Sequence, residues 1–267
     1  MNDTDARFGG MARLYGAEGL ARLGRAHVAV IGIGGVGSWV AEALARSGVG
    51  ALTLVDLDEV CVSNVNRQLH ALTETVGRAK VAVMAERVRA IHPQCRVTAC
   101  AEFFTEQTAA ALLAPQFDYV VDAIDNVGNK CRLIAACRAR GVPVIACGAA
   151  GGRREATAVR VADLSAVTHD RLLAEVRKRL RKEHQFPREA AMGVPSVFSP
   201  EPPVFPQADG RVGPAKAPGG AGETEGVEEP LRLNCNWGLG SATFVTGTFG
   251  FAAAGWVVGR IAANAEA

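Results

Sequence analysis

The ten residues "VIGIGGVGSW", Val30 to Trp39, constrain this chain more than any others. They close the short apolar run "AHVAVIG" (Ala26–Gly32), which reads as a buried parallel strand. They open "GSWVAEALARSGVG", which has helical spacing and a glycine stop at Gly48. Gly32, Gly34 and Gly37 match G-x-G-x-x-G. Glycines there permit a tight turn and let backbone amides approach phosphate, while the N-terminus of the following helix presents a partial positive charge to an anion. A second strand, "ALTLVDLD", places Asp56 at the distance that suits a ribose hydroxyl. These residues alone fit a redox dinucleotide and an ATP equally well.

The same grammar continues for more than a hundred residues. "CRVTAC", "YVVDAID" and "VPVIACG" are short buried runs, and "RAKVAVMAERVRAIHP" and "GNKCRLIAACRARG" are amphipathic helices set among them. Strands alternating with helices predict an α/β fold, a doubly wound, mostly parallel Rossmann-like sheet with right-handed crossovers. A chain of 267 residues, almost half of them apolar, has material for one such core with an extension. The division expected is an N-terminal helical arm over 1–25, a nucleotide-binding core over 26–165 and a C-terminal extension over 166–267.

The extension reads differently. "EATAVRVADLS" is an added strand, and "RLLAEVRKRLRKEH" is a basic helix with Leu172, Leu173, Val176 and Leu180 on one face. Its Arg171, Arg177, Lys178, Arg179, Arg181 and Lys182 form either a solvated face or a phosphate-contacting patch. From about 185 to 230 the chain is rich in Pro, Gly and Glu and reads as a flexible crossover loop. The segment 238–263 carries only Arg260 as a charge and is long enough to cross a bilayer. Its Gly, Ala, Ser and Thr favour a buried, dimer-packed helix over a membrane contact. With a polar N-terminal stretch, "MNDTDARFGG", and seven scattered cysteines without any C-x-x-C pair, a cytoplasmic protein with reduced thiols and no tetrathiolate zinc site is expected. A net charge of +2 leaves a nucleic-acid partner only a local patch to use.

The loop after the second strand decides between the two nucleotides. "DLDEVCVSNVNRQLH" sets Asn64, Asn66, Arg67 and Gln68 there, Lys80 opens the next helix, and "DAIDN" puts Asp122 and Asp125 at a later strand end. In an open parallel sheet these ends face one crevice. Hydride transfer needs no such set of cations and carboxylates. Attack by a carboxylate on the α-phosphate of ATP does: Arg67 and Lys80 would stabilise charge gathering on the phosphates, and Asp125 would hold a bridging Mg2+.

"GIGGVGSW", "VDLDEVCVSNVNRQLH", "VGRAKV" and "DAIDN" resemble the ubiquitin-activating-like (ThiF/MoeB/HesA-type) adenylating enzymes. "RFGGMARLYG", "ACGAAGGRREAT", "FSPEPPVFPQADG" and "LNCNWGLGSATFVTGTFGF" resemble the branch that dehydrates tRNA threonylcarbamoyladenosine. That resemblance implies ATP-dependent adenylation of a threonyl carboxylate in the anticodon loop, then ring closure within the same side chain and loss of AMP. By motif, Gly32, Gly34, Gly35 and Gly37 hold phosphates, Asp56 binds ribose, and Asn64, Arg67 and Lys80 bind and polarise the triphosphate. Asp125, with Asp122 as second choice, positions Mg2+. Relatives are homodimers in which an N-terminal arginine reaches the partner's γ-phosphate; Arg13 is the candidate here, Arg7 next. A monovalent cation (Na+ or K+) and a sulfur-transfer partner, a cysteine desulfurase or sulfur acceptor, belong to the same resemblance. Some relatives use a crossover-loop thiol, but 183–230 holds no cysteine and only Cys235 lies near. The competing expectations are an activator of a ubiquitin-like sulfur carrier, an NAD-dependent oxidoreductase and a membrane-attached nucleotide sensor.

Overall fold

The computed structural model describes residues 3–207, 209–214 and 239–263. Along the chain run α1 (Asp3–Arg25), β1 (His27–Ile31), α2 (Gly37–Arg46), β2 (Ala51–Val55), α3 (Lys80–Ile91), β3 (Arg96–Cys100), the single turn α4 (Ala109–Leu112), β4 (Tyr119–Asp122), α5 (Val127–Arg140) and β5 (Val144–Cys147). Then follow β6 (Arg160–Asp163), α6 (Arg171–Glu183), β7 (Pro195–Phe198), the small hairpin β8 (Phe205–Pro206) and β9 (Val212–Gly213), and α7 (Thr243–Ala262).

Seven strands form one sheet in the order β3-β2-β1-β4-β5-β7-β6. All neighbours are parallel except β6, which runs antiparallel to β7 at the edge. The apolar strand runs exist because both faces are covered. Val28 and Val30 of β1 join a core with α2, α3 and α7, while Ala29 and Ile31 join a second core with α5 and α6. The alternating sheet and its flanking helices are as expected, and so is the basic helix, α6. One expectation needs correcting. The stretch assigned wholly to the crossover loop contains β7, which the sheet inserts between β5 and β6, and the β8–β9 hairpin. Four residues that begin on a proline are too short a run to stand out from "MGVPSVFSPEPP", yet Ser196, Val197 and Phe198 are buried. Cys235 and the rest of that loop beyond residue 214 lie outside the described residues.

α7 passes the length and composition test for a membrane span, but half of it is buried inside the protein. It packs on α2 and α1. Gly250 makes that approach close: a Cβ there would stand 2.6 Å from Trp39 Cβ and 2.9 Å from the Val36 carbonyl. Trp39 also meets Phe251 edge to face, with ring centroids 5.7 Å apart.

A fully buried ion pair ties β4 to α5. Lys130 Nζ lies 2.9 Å from Asp122 Oδ1 and donates to the carbonyls of Asp122 (3.2 Å) and Ile124 (2.9 Å). Both side chains are completely shielded from solvent. Asp122 Oδ1 also accepts from the Ile124 amide at 3.1 Å, so the turn that leaves β4 is held from within.

Three stability predictions follow from these contacts. Gly250→Ala lowers stability by about 1–3 kcal/mol in denaturant melts through overpacking, although helix propensity alone would favour alanine by about 1 kcal/mol. Lys130→Met strands a buried carboxylate and costs about 3–5 kcal/mol, and adding Asp122→Asn recovers part of the loss in a double-mutant cycle. His70 is 1 % exposed, and among the described residues neither ring nitrogen has a partner. Burial, with repulsion from Lys80, pushes its pKa down to about 4. The unfolded chain therefore binds the proton first. His70's contribution is complete above about pH 6.5 and is lost as pH falls towards 4, a loss of about 3 kcal/mol. Melts between pH 7 and 4 read that slope, and His70→Leu flattens it.

Candidate nucleotide-binding site

Two close backbone approaches at the carboxyl ends of β1 and β4 build the floor of the site. Gly32 sits at φ +94°, and a Cβ on it would fall 2.7 Å from the Ala123 carbonyl oxygen. A Cβ on Gly37 would fall 1.8 Å from the Gly32 carbonyl oxygen. Only bare backbone closes this turn, so Gly32 and Gly37 answer to sterics. Gly34 has open space around it and, with Gly35, lines the cavity. No side chain caps the N-terminus of α2; the Ser38 and Trp39 amides go to the carbonyls of Gly34 (3.2 Å) and Val36 (3.1 Å), so what the helix offers an anion here is the partial positive charge of its end.

The cavity above this floor measures about 790 Å³. It collects Gly32, Gly34, Gly35, Asp56, Asn64, Arg67, Lys80 and Asp125 from three strand ends. Asp56 accepts the Ile33 amide on Oδ2 (2.7 Å) and the Asp58 amide on Oδ1 (2.9 Å), locking the second strand's end to the glycine turn. Burial holds its carboxyl above the usual range against the pull of Lys80. Lys80 is itself buried, with Nζ 2.8 Å from Asp58. Asn64 is buried at the end of a 3-10 turn (Val62–Asn64), its Oδ1 accepting the Cys61 amide at 3.0 Å. Arg67 donates to the Ser63 carbonyl (2.6 Å) and Asn66 Oδ1 (3.0 Å). Its own carbonyl accepts from Trp39 Nε1 at 3.2 Å and Thr246 Oγ1 at 3.1 Å. Helices α2 and α7 therefore set where Arg67 stands, and Thr246 is a wall of the cavity. No local pattern around Thr246 in the sequence pointed to that.

Asp125 is exposed at the cavity mouth, in the turn before α5. Desolvation first, then repulsion from Asp58 and Asp56, raises its carboxyl above the usual range. Asp122 is elsewhere. It faces Lys130 beneath the floor and does not line the cavity, so the nucleotide role expected of it gives way to a structural one. The strand's period of two explains this: Asp122 is still in β4 and points into the core, whereas Asp125 lies past the strand end. Lys130, the residue that fixes both, was not singled out by its sequence; an i, i+8 spacing from "DAIDN" into a helix is its only signature. Arg13 is exposed on α1 and away from this cavity, and Arg7 donates to the Ile91 carbonyl at 3.2 Å.

The donor set suits a magnesium nucleotide. Among the described residues no group of three His, Cys, Asp or Glu side chains can hold a metal unaided. A hard cation at Asp125 would need phosphate oxygens to complete its shell, which is how Mg2+ is usually bound. Gln68 Oε1 is a buried acceptor in the wall with no partner among the described residues, open to a donor from a ligand. Of the thiols, Cys147 is buried in the wall and burial pushes it up to about 12, which suppresses the thiolate.

Known proteins resemble this chain along its whole length. The tRNA threonylcarbamoyladenosine dehydratase of Escherichia coli is 47% identical over 261 residues, 97% of this chain and 94% of that protein. The crystal structure of the E. coli enzyme in complex with ATP superposes with a TM-score of 0.83 at 42% identity, covering 98% of this chain and 97% of that one. The sulfur carrier protein adenylyltransferase of Thermus thermophilus is 40% identical over 130 residues, 49% of this chain and 48% of that protein. The ThiF family model matches residues 10–266, and the chain belongs to the ThiF family.

Proposed function

We propose that this chain is an ATP-dependent tRNA threonylcarbamoyladenosine dehydratase. The observation that carries this is the convergence of the glycine turn, Arg67, Lys80 and Asp125 on one cavity, in a chain that dehydratases match from end to end. Carrier activators match only about half of it.

The threonyl carboxylate of the modified adenosine attacks the α-phosphorus of ATP. The Pα–O–Pβ bond breaks and pyrophosphate leaves with the electron pair. Arg67 and Lys80 stabilise the charge that builds on the phosphates, and the glycine turn with the positive end of α2 holds them. Asp56 takes the ribose. Asp125 would hold Mg2+, which when bound would supply charge neutralisation to the leaving pyrophosphate. A nucleophile of the same side chain then attacks the acyl carbon, and AMP departs with the carboxylate oxygen that is lost. The tethered nucleophile makes a protein thiol unnecessary. The suppressed Cys147 agrees with that; among the described residues the exposed thiol on the cavity rim, open to a sulfur-transfer partner, is Cys61.

A homodimer belongs to the same reading. Val62, Val65, Phe244 and Phe251 are more than half exposed, on the segment after β2 and on the outer face of α7. Such apolar side chains gathered near the cavity suit a second copy better than water. Arg13, with the exposed Leu14 and Tyr15 beside it, is the arginine that a partner would offer to the γ-phosphate. The cytoplasm, where tRNA substrate is found, is the compartment this activity requires, and protein packing of α7 disfavours membrane contact.

Incubation with ATP, Mg2+ and tRNA carrying the linear modification is expected to yield AMP and a nucleoside lighter by one water, read by mass analysis. ATP cleavage only in the presence of a small carrier protein would refute the proposal. Arg67→Ala and Asp125→Asn each reduce kcat by about 10²–10³, the usual cost of one charge-stabilising group.

A further inference from the structure

Helix α6 starts at the cavity and leads away from it. Leu172 lines the nucleotide cavity, and Arg171 and Ala174 line the next hollow along. Ala174 also lines a groove of about 420 Å³, whose other walls are Arg177, Lys178, Arg181, Lys182 and Arg188. Leu172 and Ala174 lie about 200° apart around the helix, so cavity and groove flank α6, with the hollow lined by Asp170, Arg171 and Ala174 at its first turn between them. Arg171, Ala174, Lys178 and Lys182 fall on one stripe of α6, about 16 Å long at 1.5 Å per residue. The opposite face, with Leu173, Val176 and Leu180, is buried in the core.

The basic side chains divide into two kinds. Arg177 donates to the carbonyls of Leu164 (3.1 Å) and Val167 (2.8 Å), and Arg181 donates to that of Pro187 (3.0 Å). These carbonyls tether Arg177 through Nη1 and Arg181 through Nε without cancelling their charge, so the two make a held positive floor. Lys178, Lys182 and Arg188 stand exposed around it. Glu175 approaches Lys178 at 3.7 Å, but that pair is exposed on both sides and screened. No acidic residue lines the groove itself. A merely solvated helix face would mix signs along the stripe.

We infer that this groove carries the sugar-phosphate backbone of the tRNA's anticodon arm while the modified adenosine occupies the cavity. This rests on the dehydratase reading for the identity of the RNA. A repeating line of phosphates matches a stripe of positive charge that starts at the α6 turn beside the cavity, and the tethered Arg177 and Arg181 reduce the ordering that binding requires.

The test reverses Lys178 and Lys182 together (Lys178→Glu/Lys182→Glu), with Arg96→Glu/Arg140→Glu as a control of equal charge change on exposed residues elsewhere. Binding of full-length protein to tRNA with the linear modification is measured between 50 and 200 mM salt, alongside KM for tRNA and for ATP. The groove variant is expected to bind tRNA at least about tenfold more weakly, with the slope of log affinity against log salt smaller by about 2. The KM for ATP and the kcat at saturating tRNA stay unchanged. An affinity and slope equal to the control's overturn the inference. Binding is read without turnover, so a wild-type protein that binds tRNA but leaves its nucleoside unchanged refutes the dehydratase activity while the slope still judges the groove.

Discussion

The ammonium of Lys130 is the point on which the site rests. It neutralises Asp122 inside the protein and grips the carbonyls of Asp122 and Ile124, so the chain leaves β4 in one defined direction. Two consequences meet there. Ala123 is presented to Gly32 closely enough to exclude any side chain, and Asp125 is swung out to the cavity mouth. A buried pair of this kind adds little net stability, since desolvation offsets most of the attraction. What it contributes is direction: the pair and the two carbonyl contacts of Lys130 fix how the chain turns from β4 towards Asp125.

A second constraint comes from the far end of the chain. α7 lies so close to α2 that Gly250 has no room for a methyl group, and this approach brings Thr246 to the carbonyl of Arg67. Trp39, from the helix that follows the phosphate turn, reaches the same carbonyl. One residue expected to act on phosphate is therefore positioned by two helices whose contacting residues, Trp39 and Thr246, stand 207 positions apart in the chain. The apolar character of α7, which by composition alone also suits a bilayer, is explained by that role.

Much of this was legible because both faces of the parallel sheet are covered. Continuous apolar runs ending in glycine or acid mark strands whose carboxyl ends share one crevice, so Gly32, Asp56, Arg67, Lys80 and Asp125 could be placed together from order and spacing. The reading failed where spacing stopped carrying information. Asp122 and Asp125 look equivalent in "DAIDN", and only the strand's last turn of the pleat separates a core carboxylate from a cavity one. β7 is four residues within a Pro- and Gly-rich stretch, and it is a strand only because β5 and β6 leave a slot between them. In α6, six basic residues look alike in sequence; nearby carbonyls from Leu164, Val167 and Pro187 decide which are tethered.

The linear sequence thus determined the alternation of elements, the phosphate turn and the chemistry available at the strand ends, because these follow from local periodicity, from glycine's missing Cβ and from the side chains' own charges. The tertiary structure alone decided which of two acids faces the cavity, where Arg67 stands, and how a run of basic residues becomes a groove. Those depend on contacts between segments far apart in the chain, and no local pattern records them.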